Sequence, residues 1–243
     1  MTLAIIMGSG RLPLAIGGET LPVPALRFGI PSTAPVRVEV AGIPVVILAR
    51  HGTPHAIAPH RINYRANIEL LDRLGVTRAI ALNTVGGISA DAWTGRLVVP
   101  HQLIDYTWGR EHTFVGDEEV RHADFADPFD PELRQALIEA GRSSAIDVGA
   151  AGVYGCTQGP RFETAAEIDR MANDGCTLVG MTGMPEAGLA RERGIRYAML
   201  SLVVNPAAGR DRDPFNLESI GRVIAAGAEQ MERLLRSLLR RMG

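Results

Sequence analysis

Short apolar runs alternate with amphipathic stretches along the chain, and this alternation limits the possible folds more than any other feature of the sequence. Leu3-Ala4-Ile5-Ile6-Met7 reads as a strand ending at Gly8-Ser9-Gly10. Val36–Val40 and Val45–Ala49 read as a strand pair around a turn at Gly42. Apolar spacing predicts a helix over Ile62–Leu74. A buried strand follows at Arg78–Asn83 and stops at Thr84-Val85-Gly86-Gly87. Pro131–Ala140 is a helix with proline in its first turn. Val148–Tyr154, Leu178–Met181 and Tyr197–Val204 are further strands, with helices at Glu163–Met171 and Pro185–Arg193 between them. Asn216 starts a long final helix running to about Arg241. The pattern predicts a single α/β domain spanning residues 1–243, built on a mixed, mostly parallel sheet with helices on both faces. No repeat, low-complexity tract or linker interrupts it.

In such folds ligands sit beyond the carboxyl ends of the strands. Four strand ends here are rich in hydrogen-bond donors. At Gly8-Ser9-Gly10, glycines would let backbone amides approach an anion and Ser9 would add a hydroxyl, or the segment is a plain tight turn. No Gly-Lys-Ser/Thr follows, and the dinucleotide fingerprint is absent. At Arg50-His51-Gly52, an arginine fork would match phosphate oxygens with His51 as a second donor, or the two form a surface pair. At Asn83-Thr84-Val85-Gly86-Gly87, Thr84 offers a hydroxyl and a Gly-Gly turn would expose amides, or the turn is structural. Thr182 is the fourth. Four such ends converging on one anion would make a phosphate site without a metal. His51 and His55 are four apart, but Gly52 and Pro54 oppose a helix there and no nearby carboxylate or cysteine completes a ligand set, so no metal is expected.

The bulk properties exclude several classes. The net charge is −2 and apolar residues make up 46 % of the chain, which argues against nucleic acid as a partner. Arg233, Arg236, Arg240 and Arg241 are expected on the solvated face and last turn of a helix, where cations are favoured. No apolar run approaches the roughly 20 residues needed to span a bilayer. The N-terminus lacks a basic n-region, so no signal peptide is expected. Cys156 and Cys176 are the only cysteines. So few thiols suggest reduced side chains and a cytoplasmic protein.

The chain resembles the trimeric purine nucleoside phosphorylase and methylthioadenosine phosphorylase family nearly end to end. Ala49-Arg50-His51-Gly52, Asn63-Tyr64-Arg65-Ala66-Asn67 and His122-Ala123-Asp124-Phe125-Ala126-Asp127-Pro128-Phe129 are similar to the methylthioadenosine branch. Gly159-Pro160-Arg161-Phe162-Glu163-Thr164 combines both branches, its Phe-Glu-Thr matching the purine nucleoside branch. The resemblance implies the nucleoside phosphorylase fold, a nucleoside substrate, inorganic phosphate as co-substrate, no cofactor, and a homotrimer or dimer of trimers. It implies that Ser9, Arg50, His51, Thr84 and Thr182 bind phosphate with help from the Val85 amide. Met181 would pack under the ribose and Phe162 near base and sugar, unless both are core residues. Glu163 and Asn205 would read the purine. His122 would reach the 5′ end of a substrate in a neighbouring subunit, unless it only packs at the contact. Catalysis would rest on Asn205, Thr182 and His51.

The departures from the family pattern carry the specificity. The methylthioadenosine branch usually has serine at the position of Glu163 and aspartate at that of Asn205. Often it has a second aspartate two residues on, where Ala207 stands. Glu163 can accept from a purine N1–H, while Asn205 can donate to O6 and accept from N7–H. Adenine has no N1 proton, so a carboxylate there would face a lone pair. The purine nucleoside branch places a histidine at the start of the final helix for the 5′-hydroxyl; Leu217 is the nearest counterpart here. An apolar residue suits a methylthio group better than a hydroxyl. A 6-oxopurine with an apolar 5′ end describes S-methyl-5′-thioinosine. The expected reaction is its phosphorolysis to hypoxanthine and 5-methylthioribose 1-phosphate, with methylthioadenosine or inosine and guanosine as alternative substrates.

Overall fold

The computed structural model describes residues 2–9, 17–116, 122–211 and 216–242, so Gly10 of the first strand end lies outside the described residues. The described strands are β1 Thr2–Met7, β2 Glu19–Thr20, β3 Val36–Val40, β4 Ile43–Ala49, β5 Val76–Gly87, β6 Leu97–Val98, β7 Gln102–Asp105, β8 Val148–Gly149, β9 Val153–Cys156, β10 Leu178–Gly180 and β11 Arg196–Pro206. The helices are α1 Tyr64–Arg73, α2 Pro131–Ser143, α3 Ala165–Asn173, α4 Glu186–Glu192 and α5 Leu217–Met242.

All the strands belong to one sheet, whose order runs β2-β3-β4-β1-β5-β10-β9-β7, with β11 on β5 and the short pair β6 and β8 beyond β11. The central pairs β4–β1, β1–β5 and β5–β11 are parallel, as are β10–β9 and β9–β7. Both faces of the sheet are covered, which explains the unbroken apolar runs. Along β1, Ala4 and Ile6 join a core with α1 and α4 through Ile68, Leu71, Ala187 and Leu189. Leu3 and Ile5 join the opposite core with α2 and α5 through Leu137, Met231, Leu235 and Leu238.

Helix starts are set locally. Asn63 caps α1 by accepting from the Ala66 amide at 3.0 Å, and Asp130 caps α2 by accepting from Leu133 at 2.8 Å. Thr164 and Glu167 form a reciprocal capping box on α3. Asn216 Oδ1 accepts from the Glu218 and Ser219 amides at the start of α5. Arg233, Arg236, Arg240 and Arg241 are exposed on α5, as expected. Cys156 and Cys176 are free and buried.

Three expectations change. The central strand does not stop at Asn83: β5 continues through Gly87, because Gly86 and Gly87 pair with Val179 and Leu178 of β10 on one side and with Asn205 and Pro206 of β11 on the other. The glycines serve close approach rather than a turn, since a Cβ at Gly87 would lie 1.9 Å from the Ala92 carbonyl oxygen. Val148–Tyr154 is two strands, because β8 pairs with β6 whereas β9 pairs with β10 and β7. The helix expected from Ile62 begins at Tyr64, after a 3-10 turn at Pro59–Arg61. Strands β2, β6 and β7 have two to four residues, too short to register as periodicity.

Candidate active site

The carboxyl ends of β1, β4, β5, β10 and β11 surround a cavity of about 240 Å3, with the start of α5 over it. Ser9, Arg50, His51, Thr84, Val85, Phe162, Glu163, Met181, Thr182, Asn205 and Leu217 all line it. His122 does not; it is exposed on the segment before α2.

At the inner end, Arg50 stands in the wall with no surface open to water. Its Nε donates to Glu186 Oε2 at 2.6 Å and its Nη2 to Glu186 Oε1 at 2.8 Å. Nη1 donates to the Leu82 carbonyl at 3.3 Å. These bonds occupy three of the five guanidinium N–H groups and leave one on each terminal nitrogen. Tyr197 Oη also donates to Glu186 Oε1, at 2.8 Å. Burial alone would lower the Arg50 pKa, but the adjacent carboxylate outweighs it and holds the guanidinium charged above its usual range. Burial and the Glu186 charge together raise the Tyr197 phenol well above its ordinary value. Gly8 makes room for this arrangement. A Cβ there would meet the Leu82 carbonyl oxygen at 2.6 Å and Arg50 Nη1 at 3.1 Å.

His51 Nδ1 lies 2.8 Å from the Ile57 carbonyl, and the His55 ring stacks on it with centroids 4.2 Å apart. Burial first, then the Arg50 charge, push the His51 pKa down to about 4 despite that carbonyl. A neutral ring facing a carbonyl must carry its proton on Nδ1, so Nε2 presents a lone pair. Beside it, Asn83 Nδ2 donates to Thr182 Oγ1 at 2.9 Å, and the Thr182 amide donates to Tyr154 Oη at 3.3 Å. Among the described residues no three His, Cys, Asp or Glu side chains gather as a metal would require.

At the outer end, Glu163 sits just before the Thr164 cap, outside α3 rather than in its first turn as the sequence pattern predicts. That position lets Glu163 Oε1 accept from Thr157 Oγ1 at 2.6 Å. The β11–β5 register shifts between Val203 and Asn205, so Val204 is an extra residue. Val204 and Asn205 both line the cavity, and the extra residue shifts Asn205 into register with Gly86 rather than Gly87. Asn205 Nδ2 donates to the Pro206 carbonyl at 2.6 Å, using one of its two amide hydrogens. Phe162 borders the cavity mouth, 49 % exposed.

Leu217 is 70 % exposed at the rim, and Ile220 and Ile224 continue its line into the cavity. Positions i, i+3 and i+7 share one helix face. The same spacing of Leu217, Ile220 and Ile224 is legible in the sequence. Glu186, Asn83 and Thr157 were missed. Their partners are distant in sequence or separated by a loop, and no spacing rule links them.

The model of the phosphorylase superfamily matches residues 2–240. The chain belongs to the phosphorylase superfamily. Among its relatives, a probable S-methyl-5′-thioinosine phosphorylase of Xanthomonas campestris pv. campestris is 50 % identical over 216 residues, covering 86 % of this chain and 85 % of the relative. Another, from Pseudomonas syringae pv. tomato, is 45 % identical over 244 residues, covering 98 % and 99 %. The structure of methylthioadenosine phosphorylase from Schistosoma mansoni in complex with adenine superposes with a TM-score of 0.93 at 31 % identity, covering 100 % of this chain and 92 % of that one. The mixed, mostly parallel α/β sheet expected from the strand–helix alternation is observed, and so is the nucleoside phosphorylase fold that the resemblance implies.

Proposed function

We propose that this superfamily member cleaves S-methyl-5′-thioinosine with inorganic phosphate, releasing hypoxanthine and 5-methylthioribose 1-phosphate. One observation carries the reading. A carboxylate and an amide, Glu163 and Asn205, line the same cavity as the donors Ser9, Thr84 and Thr182 and the apolar face Leu217, Ile220 and Ile224. The names of the two bacterial relatives support the same substrate.

Phosphate attacks C1′ while the bond to N9 breaks, so the sugar passes through an oxocarbenium-like centre between an anion and a departing base. The protein needs no nucleophile of its own; it positions and stabilises charge. Ser9, Thr84, Thr182 and the Val85 amide are the donors for phosphate. Arg50 adds the two N–H groups, one on each terminal nitrogen, that Glu186 and the Leu82 carbonyl leave over. His51 Nε2, as an acceptor, suits the proton that phosphate itself carries near neutral pH. Met181 lies under the ribose and Phe162 over the base and sugar. Thr157 holds one oxygen of Glu163, leaving the other for N1–H. Asn205 meets O6 and N7 as negative charge collects there, so its contacts strengthen toward the transition state. No cofactor enters this scheme. Among the described residues no helix is long and apolar enough to cross a membrane, and we place the protein in the cytoplasm. His122, exposed outside its own cavity, fits a role at a neighbour's 5′ end in a homotrimer or a dimer of trimers.

The test is phosphorolysis of methylthioinosine, methylthioadenosine, inosine and adenosine. A buried polar mismatch discriminates by up to about 10⁴–10⁵, so methylthioinosine is expected to react far faster than methylthioadenosine. Equal rates on those two substrates would sink the base assignment. A preference for inosine would move the reading to a purine nucleoside phosphorylase.

A further inference from the structure

Asn83 belongs to the cavity wall, yet no step above assigns it a task. It lies on β5, 2 % exposed, and its Nδ2 donates to Thr182 Oγ1 across 99 residues of sequence at 2.9 Å. Among the described residues its Oδ1 is buried without a partner, and so is the hydroxyl of Ser201, which pairs with Asn83 in register on β11. A buried acceptor without a partner destabilises a fold, and an apolar residue of similar size would remove that penalty. Stability therefore does not account for an asparagine here. Its one hydrogen bond does.

We propose that Asn83 is a positioning residue that turns the hydroxyl proton of Thr182 into the anion end of the cavity. A threonine hydroxyl has one proton and two lone pairs. The Asn83 N–H occupies a lone pair, so the proton must point elsewhere. Tyr154 Oη holds the Thr182 amide at 3.3 Å, which fixes the backbone from which the hydroxyl projects. Asn83 and Thr182 both line the cavity, so of the two directions left to the proton, toward the neighbouring Tyr154 Oη or into the cavity, the second is the one a bound oxyanion would claim. The orientation matters because the described residues of the site supply little free positive charge. Arg50 is neutralised by Glu186 through two bonds, so oriented dipoles must supply the binding.

The inference rests on the phosphorolysis reading only in taking the anion to be phosphate. The experiment measures phosphate KM and nucleoside KM separately and titrates inorganic phosphate into the unliganded protein calorimetrically. Asn83→Leu is expected to weaken phosphate about tenfold, the worth of one hydrogen bond, while nucleoside KM stays within about twofold and Tm holds or rises. Asn83→Asp can only accept, so it draws the Thr182 proton away and adds charge; a loss of about 100-fold or more is expected. Asn83→Thr can still donate and should recover phosphate KM to within about threefold of the native value. In a Thr182→Val background, Asn83→Leu should have no further effect. Multiplying effects in that double variant, or native phosphate affinity in Asn83→Leu, would overturn the proposal. If no nucleoside is cleaved by the native protein, the functional reading fails, while the phosphate titration still decides what Asn83 does.

Discussion

Arg50 and Glu186 meet through two bonds, 2.6 Å and 2.8 Å, with neither side chain exposed. The cation lies at the end of a strand at the cavity floor, and the anion opens a helix 136 residues later. A buried pair of this kind adds little net stability against an apolar replacement, but removing one member leaves an uncompensated buried charge. The pair therefore fixes the aim of Arg50 and couples α4 to the anion end.

Glu186→Gln should lower stability by about 3–5 kcal/mol and the melting temperature by roughly 10 °C. Calorimetry reads this directly. In the folded fraction, phosphate KM should rise more than nucleoside KM. An unchanged melting temperature would mean that the pair is not closed in solution.

Thr157→Val should free the Glu163 carboxylate from its 2.6 Å partner. Nucleoside KM should then rise about tenfold while phosphate KM stays level. Asn205→Asp should shift preference toward methylthioadenosine, because an aspartate accepts from an exocyclic amine. Product analysis for adenine against hypoxanthine checks both variants. Parallel changes in phosphate KM and nucleoside KM for Thr157→Val would place Thr157 outside base recognition.

The apolar face of α5 should set 5′ selectivity. One methyl-sized contact is worth about 1–3 kcal/mol, so methylthioinosine should exceed inosine by roughly 10–200-fold in kcat/KM. Leu217→His should narrow that ratio by offering the hydroxyl a partner. Ile220→Ser should narrow it further, since Ile220 is the less exposed of the two. A ratio that neither variant changes would locate 5′ selection elsewhere, with His122 of a neighbouring subunit the next candidate.

Acid should weaken the fold through His51. Its folded pKa is pushed down to about 4 from an ordinary value of 6.5. Between those values the unfolded chain binds the extra proton, so stability rises with pH there. The contribution is whole above about pH 6.5 and is lost as pH falls toward 4. His55 is shifted in the same direction by burial. Urea midpoints from pH 4 to 8 should show the slope, and His51→Asn should flatten it. A native slope of opposite sign would mean that the ring is charged in the folded protein.

The layer architecture was determined by the sequence alone, because hydrophobic periodicity is local. Leu3 and Ile5 feed one core and Ala4 and Ile6 the other, so β1 had to be apolar throughout. Ser9, Arg50, His51, Thr84 and Thr182 were legible as residues gathered at one cavity for a related reason: each lies at or just after the end of an apolar run. Pairing between distant residues was decided only by the tertiary structure. Nothing near Arg50 names Glu186, and nothing near Asn83 names Thr182, since these contacts exist only once sheet and helices have closed. The extra residue at Val204 is of the same kind. Whether a strand bulges depends on the register its neighbour imposes, and that register turns Asn205 toward the cavity. The residue types able to recognise a nucleoside and an anion were therefore set in the chain, while their directions were set by packing.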